Sequence, residues 1–146
     1  MKRFAAALLL LCAPAAAHAA DNFTFSGMTK GIDGVRAPAQ GPQFLGAQVF
    51  SYSTDVVYAN GQKETITGKC GGWKNPPGAQ FDQSGVCNSP GNYTMQYSCQ
   101  PETGKPGANC WGYLVGAPEG RYKGRTGLVT YRNADGGNVG VGRWND

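Results

Sequence analysis

Along most of the chain, apolar and polar residues alternate with a period of two. In "QVFSYSTDVVY", Phe50, Tyr52, Thr54, Val56 and Tyr58 fall on one face. In "YTMQYSC", Tyr93, Met95, Tyr97 and Cys99 share a face, with Thr94, Gln96 and Ser98 on the other. This is the signature of half-buried β-strands. "NFTFSG" alternates Phe23 and Phe25 and reads as a short first strand. "FDQSGVC" and "CWGYLVG" add strands, and "GLVTYRN" and "NVGVGRW" flank "ADGG" as a final hairpin. No stretch of useful length carries a helical period.

The punctuation between these runs predicts how they connect. "GIDGVRAPAQGP", "GGWKNPPGA" and "QPETGKPGAN" read as loops. Asn60-Gly61 suits a type I′ hairpin turn. Pairing symmetric about that turn sets Tyr58 opposite Lys63, Val56 opposite Thr65 and Cys70 opposite Ser51. A second hairpin that pairs Cys99 with Cys110 also pairs Tyr97 with Gly112 and Met95 with Leu114. About eight short strands with antiparallel connections result. So small a chain cannot leave many edges open, so a closed barrel or compact sandwich is expected. Glycines within strands (Gly112, Gly140, Gly142) suit the sharp coiling of a barrel wall. The predicted class is all-β: a closed antiparallel β-barrel of about eight strands with two disulfides.

The first residues change the picture of compartment. Lys2 and Arg3 precede an apolar run, Phe4 to Leu11, and "AHA" places small residues before Ala20. This predicts a secretory signal, residues 1–19, cleaved after Ala19, and one barrel domain over 20–146. Leu11 before Cys12 argues against a lipid anchor. With Lys2 and Arg3 removed, the thirteen Lys and Arg of the whole chain become eleven, against nine Asp and Glu. That balance is too small to call for a nucleic-acid partner. Cys70, Cys87, Cys99 and Cys110 remain, an even number in an exported chain, and read as two disulfides. Cys70–Cys87 with Cys99–Cys110 is the preferred pairing among the three that four cysteines permit. The sole histidine, His18, lies in the signal. Histidine-based triads and histidine-ligated metals are thereby excluded from the barrel domain, and no metal or cofactor is expected.

"CWGYLVGAPEGRYKGRTGLVTYRN…GVGRWN" resembles the small barrels related to allene oxide cyclase and plant dirigent proteins. The matching positions are Gly120, Tyr122, Gly124 and Gly127, followed by Val129, Thr130 and Tyr131, and the resemblance spans roughly Gly68 to Trp144. It implies an eight-stranded antiparallel barrel, often dimeric or trimeric, with a cavity for a small hydrophobic or aromatic ligand. No catalytic residue of that superfamily maps onto a position here. The resemblance also makes "EGRYKGRTGLVTYR", with its four cations, a strand-to-strand corner rather than an anion grip.

The candidate ligand wall is Phe50, Tyr52, Tyr58, Tyr93, Met95 and Tyr97, with Trp73 in "GGWKNPPG" as a lid over one mouth. Tyrosine and tryptophan supply an apolar wall and a polar handle. A barrel of eight strands also has just enough room to be filled by such side chains. Asp55, Glu64 and Asp82 are the candidate buried carboxylates. Three functions follow: non-catalytic binding of a small apolar or aromatic molecule, a cyclase or isomerase using a carboxylate or tyrosine, and a structural or protein-interaction barrel with a filled core.

Overall fold

The computed structural model describes residues 21–36 and 46–145. The predicted signal segment, its expected cleavage after Ala19, and residues 37–45 lie outside the described residues. Eight strands follow one another: β1 (Asn22–Arg36), β2 (Gly46–Tyr58), β3 (Lys63–Lys74), β4 (Gln83–Ser89), β5 (Tyr93–Pro101), β6 (Ala108–Gly116), β7 (Thr126–Ala134) and β8 (Gly137–Asn145). Each pairs antiparallel with the next, and β8 pairs with β1, so the sheet closes into a barrel in chain order. Closure removes the open edges that so short a chain could not otherwise protect.

Alternation works as the sequence pattern requires. Tyr52, Thr54, Val56 and Tyr58 on β2 are buried inward, as are Tyr97 and Cys99 on β5. The inward glycines are the complement of the inward aromatics. A Cβ on Gly142 would lie 2.2 Å from Phe23 Cζ, and one on Gly85 would lie 2.5 Å from the Tyr97 ring. Gly68 makes the same allowance for Tyr52, where a Cβ would stand 2.6 Å from the hydroxyl. Large rings thus fit inside a narrow barrel because the wall opposite them lacks side chains.

The outer wall is divided. On β3 and β5 it carries Lys63, Thr65, Thr67, Thr94 and Gln96, all exposed. On β6 to β8 it carries exposed Trp111, Tyr113, Leu128 and Val141. The apolar interior differs from the polar lumen of barrels that span membranes.

Both disulfides join directly paired residues of neighbouring strands. Cys70–Cys87 ties β3 to β4, and Cys99–Cys110 ties β5 to β6. The Cys99, Tyr97 and Met95 register is the expected one.

Three expectations fail. The hairpin at Asn60-Gly61 does not form a type I′ turn, because only Gly61 has positive φ, +84°. Gly61 N–H donates to Tyr58 C=O, closing a type I turn, and Gln62 C=O accepts from Tyr58 N–H. The Asn60 carboxamide holds that shape by accepting from Gln62 N–H at 3.0 Å. The connection is one residue longer, so Val56 faces Glu64 and Phe50 faces Cys70. A slip of one residue exchanges the faces of a strand, and so Glu64 rather than Thr65 turns inward. The second failure is β1, which continues through "GIDGVR" to Arg36 because the first half of β2 pairs with it. Gly31, at φ +57°, takes up the register shift there as a bulge. Third, "GGWK" is the end of β3 rather than a loop, paired with β2 and β4.

Candidate functional site: the barrel lumen

The barrel encloses a cavity of about 90 Å³. Phe50, Tyr52, Tyr58, Tyr93, Met95 and Tyr97 all line it. The seventh candidate, Trp73, does not. It stands on the outer face of β3, 45% exposed, because β3 runs straight past the mouth instead of looping over it. Trp111 is also outward, against Phe81. Trp144 is the tryptophan that reaches the lumen.

One end is plugged. The β6–β7 connection, residues 117–125, folds across it, with Gly116 N–H donating to Arg125 C=O and Ala117 N–H to Asn92 C=O. Tyr122 hangs from this connection, fully buried, and stacks on Trp144 with centroids 4.3 Å apart. Gly116 makes room for it, since any Cβ there would collide with the Tyr122 backbone. The Tyr122 and Tyr58 hydroxyls both donate to Glu64 Oε1. Arg121 lies over the Tyr58 ring at 4.3 Å and pairs with Glu64 Oε2 at 3.4 Å. Arg125 pairs with Asp21 at 2.8 Å and Arg132 with Glu102. Two cations of "EGRYKGRTGLVTYR", Arg121 and Arg125, therefore hold the corner and the plug, while Arg132 is used at the other end of β7.

The opposite end is the mouth. There Thr29, Gln48, Gln83, Asn133 and Asn138 form the wall. Below them comes a belt of Tyr97, Tyr131 and the disulfide cysteines, and then Phe23, Val56, Ile66, Leu114 and Val129 in the apolar depth. No Asp, Glu, Lys or Arg lines the cavity among the described residues. Its titratable groups are phenols, and burial keeps them protonated. Burial pushes Tyr97 up to about 12. Tyr58 is pushed up to about 12 by burial and by the Glu64 carboxylate that accepts its proton. Tyr93, Tyr122 and Tyr131 are likewise raised, burial being the largest cause in each. Tyr52 and Tyr93 hydroxyls lie 3.3 Å apart.

Of the three candidate carboxylates, only Glu64 turns inward. Asp55 is on the outer face, accepting from Thr65 at 2.6 Å. Asp82 pairs with Lys74 outside the mouth. In the sequence Tyr122 stands out only as a position of the glycine-aromatic pattern; its link to Trp144 and Glu64 has no local signal. Asn133 and Asn138 were missed because each sits in a turn-like context beside "ADGG".

Chemically, the lumen offers dispersion contacts, aromatic edges, and neutral donors and acceptors near the mouth. Comparison with known families, curated proteins and solved structures returns no match for the chain.

Proposed function

We propose that this is an exported barrel that holds a small, mostly apolar or aromatic molecule in its lumen without changing it chemically. The observation that carries the reading is unfilled space, about 90 Å³, walled by aromatic side chains and open at one polar end. Pockets for drug-sized ligands usually run to several hundred Å³. A cavity of roughly 150 Å³ accepts benzene. The ligand is therefore no larger than a single ring or a short chain, and the flexible Met95 is the wall residue best able to yield.

Binding is favoured over catalysis by the use made of Glu64. Both phenols and Arg121 occupy its oxygens at the plug, so it does not face the lumen as a base. The phenols hold their protons and point them at the carboxylate. A cyclase or isomerase built here would lack a free proton acceptor among the described lining residues. The resemblance of residues 68–144 to allene oxide cyclase and dirigent-like barrels fits an eight-stranded, ligand-holding barrel. The signal-like opening supports export, and two disulfides are compatible with an oxidising compartment.

Two measurements test the reading. Native mass spectrometry of protein taken from the exporting cell should show a co-purified small molecule. Titration with toluene should shift the methyl NMR signals of Met95, Ile66 and Leu114. Protein that is repeatedly ligand-free and gives no lumen response to toluene would instead be a barrel with a filled core.

A further inference from the structure

The mouth carries information that the apolar depth does not. Asn138 Oδ1 is buried and accepts no hydrogen bond. It belongs to β8, opposite Gly27 of β1 and Asn133 of β7. The missing Cβ of Gly27 leaves the space beside it free of side chain: a Cβ there would stand 2.9 Å from Asn138 Oδ1 and 2.5 Å from Thr54 Oγ1. Two polar atoms thus converge over a bare stretch of backbone at the lumen wall. A buried acceptor without a donor is costly, and native proteins seldom leave one unless something else supplies the donor.

The surroundings restrict what can supply it. Every polar group around the cavity is neutral: the amides of Gln48, Gln83, Asn133 and Asn138, the hydroxyls of Thr29 and Thr54, and the phenols. An ion entering would lose its water and meet no counter-charge. Burial holds the Tyr97 phenol protonated up to about 12, so the wall stays uncharged at neutral pH. In the depth beyond, Phe23, Val56, Ile66, Leu114 and Val129 are apolar, and the phenols there are already committed, Tyr58 and Tyr122 to Glu64 and Tyr52 to Tyr93.

Resting on the lumen reading above, we infer that the barrel selects a neutral molecule with a hydrogen-bond donor at one end of an apolar or single-ring body. The body enters first and the donor, a hydroxyl or N–H, stops at Asn138 Oδ1. Gly27 and Thr54 shape the notch that admits that group. The site is thereby a reader of polarity at one end of the ligand, and its affinity for a ring depends on what the ring carries.

The test is a calorimetric or NMR titration of the intact, oxidised protein with four probes at neutral pH: toluene, anisole, phenol and benzoate. Phenol can donate, anisole can only accept, toluene can do neither, and benzoate is charged. One net hydrogen bond to a buried acceptor corresponds to roughly a tenfold affinity difference. Phenol should bind about tenfold tighter than anisole or toluene, and benzoate should bind more weakly than phenol. Asn138→Leu should bring the phenol-to-anisole ratio to about one while toluene still binds. Asn138→Ser serves if the leucine variant does not fold, and the wild-type series stands without either. If toluene and anisole bind as well as phenol, or benzoate binds as tightly, the inference is overturned and the lumen reading survives. If none of the four enters the barrel, both fall.

Discussion

Replacing Glu64 tests whether the plug is a polar network or mere surface decoration. Its carboxylate accepts from Tyr58 and Tyr122 and pairs with Arg121. Both phenol-bearing residues are buried, at 4% and 0% exposure, so water cannot replace the acceptor. In Glu64→Leu one phenol can turn to the other, because the two hydroxyls already touch. The remaining donor is stranded, which costs about 1–3 kcal/mol. Arg121 and Glu64 are partly exposed, at 41% and 26%, so their ion pair adds at most about 1 kcal/mol. The expected loss is about 2–3 kcal/mol. Glu64→Gln keeps a neutral acceptor and should cost about 1 kcal/mol. Asp55→Ser removes only a hydrogen bond on the outer face and should stay within about 0.5 kcal/mol. Urea denaturation with disulfides intact measures all three, with unchanged m-values as the check that only the native state was altered. If Glu64→Leu were no worse than Asp55→Ser, or Glu64→Gln as damaging as Glu64→Leu, the network would not be what closes the barrel.

Other outcomes follow from the same geometry. Gly142→Ala should destabilise by about 1–3 kcal/mol, because the added Cβ meets the Phe23 ring at 2.2 Å, and adding Phe23→Leu should recover part of the loss in a double-mutant cycle. Removing Cys70–Cys87 or Cys99–Cys110 by paired Cys→Ser changes should each cost about 3 kcal/mol, from loops of 17 and 11 residues, measured by denaturation against the parent; no change in either would refute a structural role. Stability should also fall in alkali. Unfolded phenols ionise near 10, whereas folded Tyr58 and Tyr97 hold protons to about 12. Their contribution is full below about pH 10 and lost as pH rises through 12, so unfolding should track tyrosinate absorbance in that window. Stability that stays flat across it would contradict the burial of these rings.

Local pattern was enough to place most strands. Period-two alternation in "YTMQYSC" and "CWGYLVG" located β5 and β6 and, through their hairpin register, the pairing of Cys99 with Cys110. The same alternation put Phe50, Tyr52 and Tyr58 on one face, and that face is the lumen wall. β1 was half legible, since "GIDGVR" carries turn residues and no alternation, yet it pairs because β2 offers it an edge. Trp73 reads as a lid from its neighbours in "GGWKNPPG", but the strand continues under it and the side chain falls outward.

What the sequence determined by itself was the all-β class, the number of strands and the chemistry of the main lumen faces, because alternation and turn residues are local properties. The tertiary structure decided which face of β3 looks inward, what seals one end and what stands at the mouth. The face of β3 turns on one residue's φ at the Asn60-Gly61 turn, which moves every partner on the strand by one. The plug brings Glu64, Tyr122 and Trp144 together from three distant segments. The mouth sets Asn138 over Gly27 only because β8 closes on β1. Contacts across a closed barrel depend on every register around it at once, and no local stretch of chain contains that information.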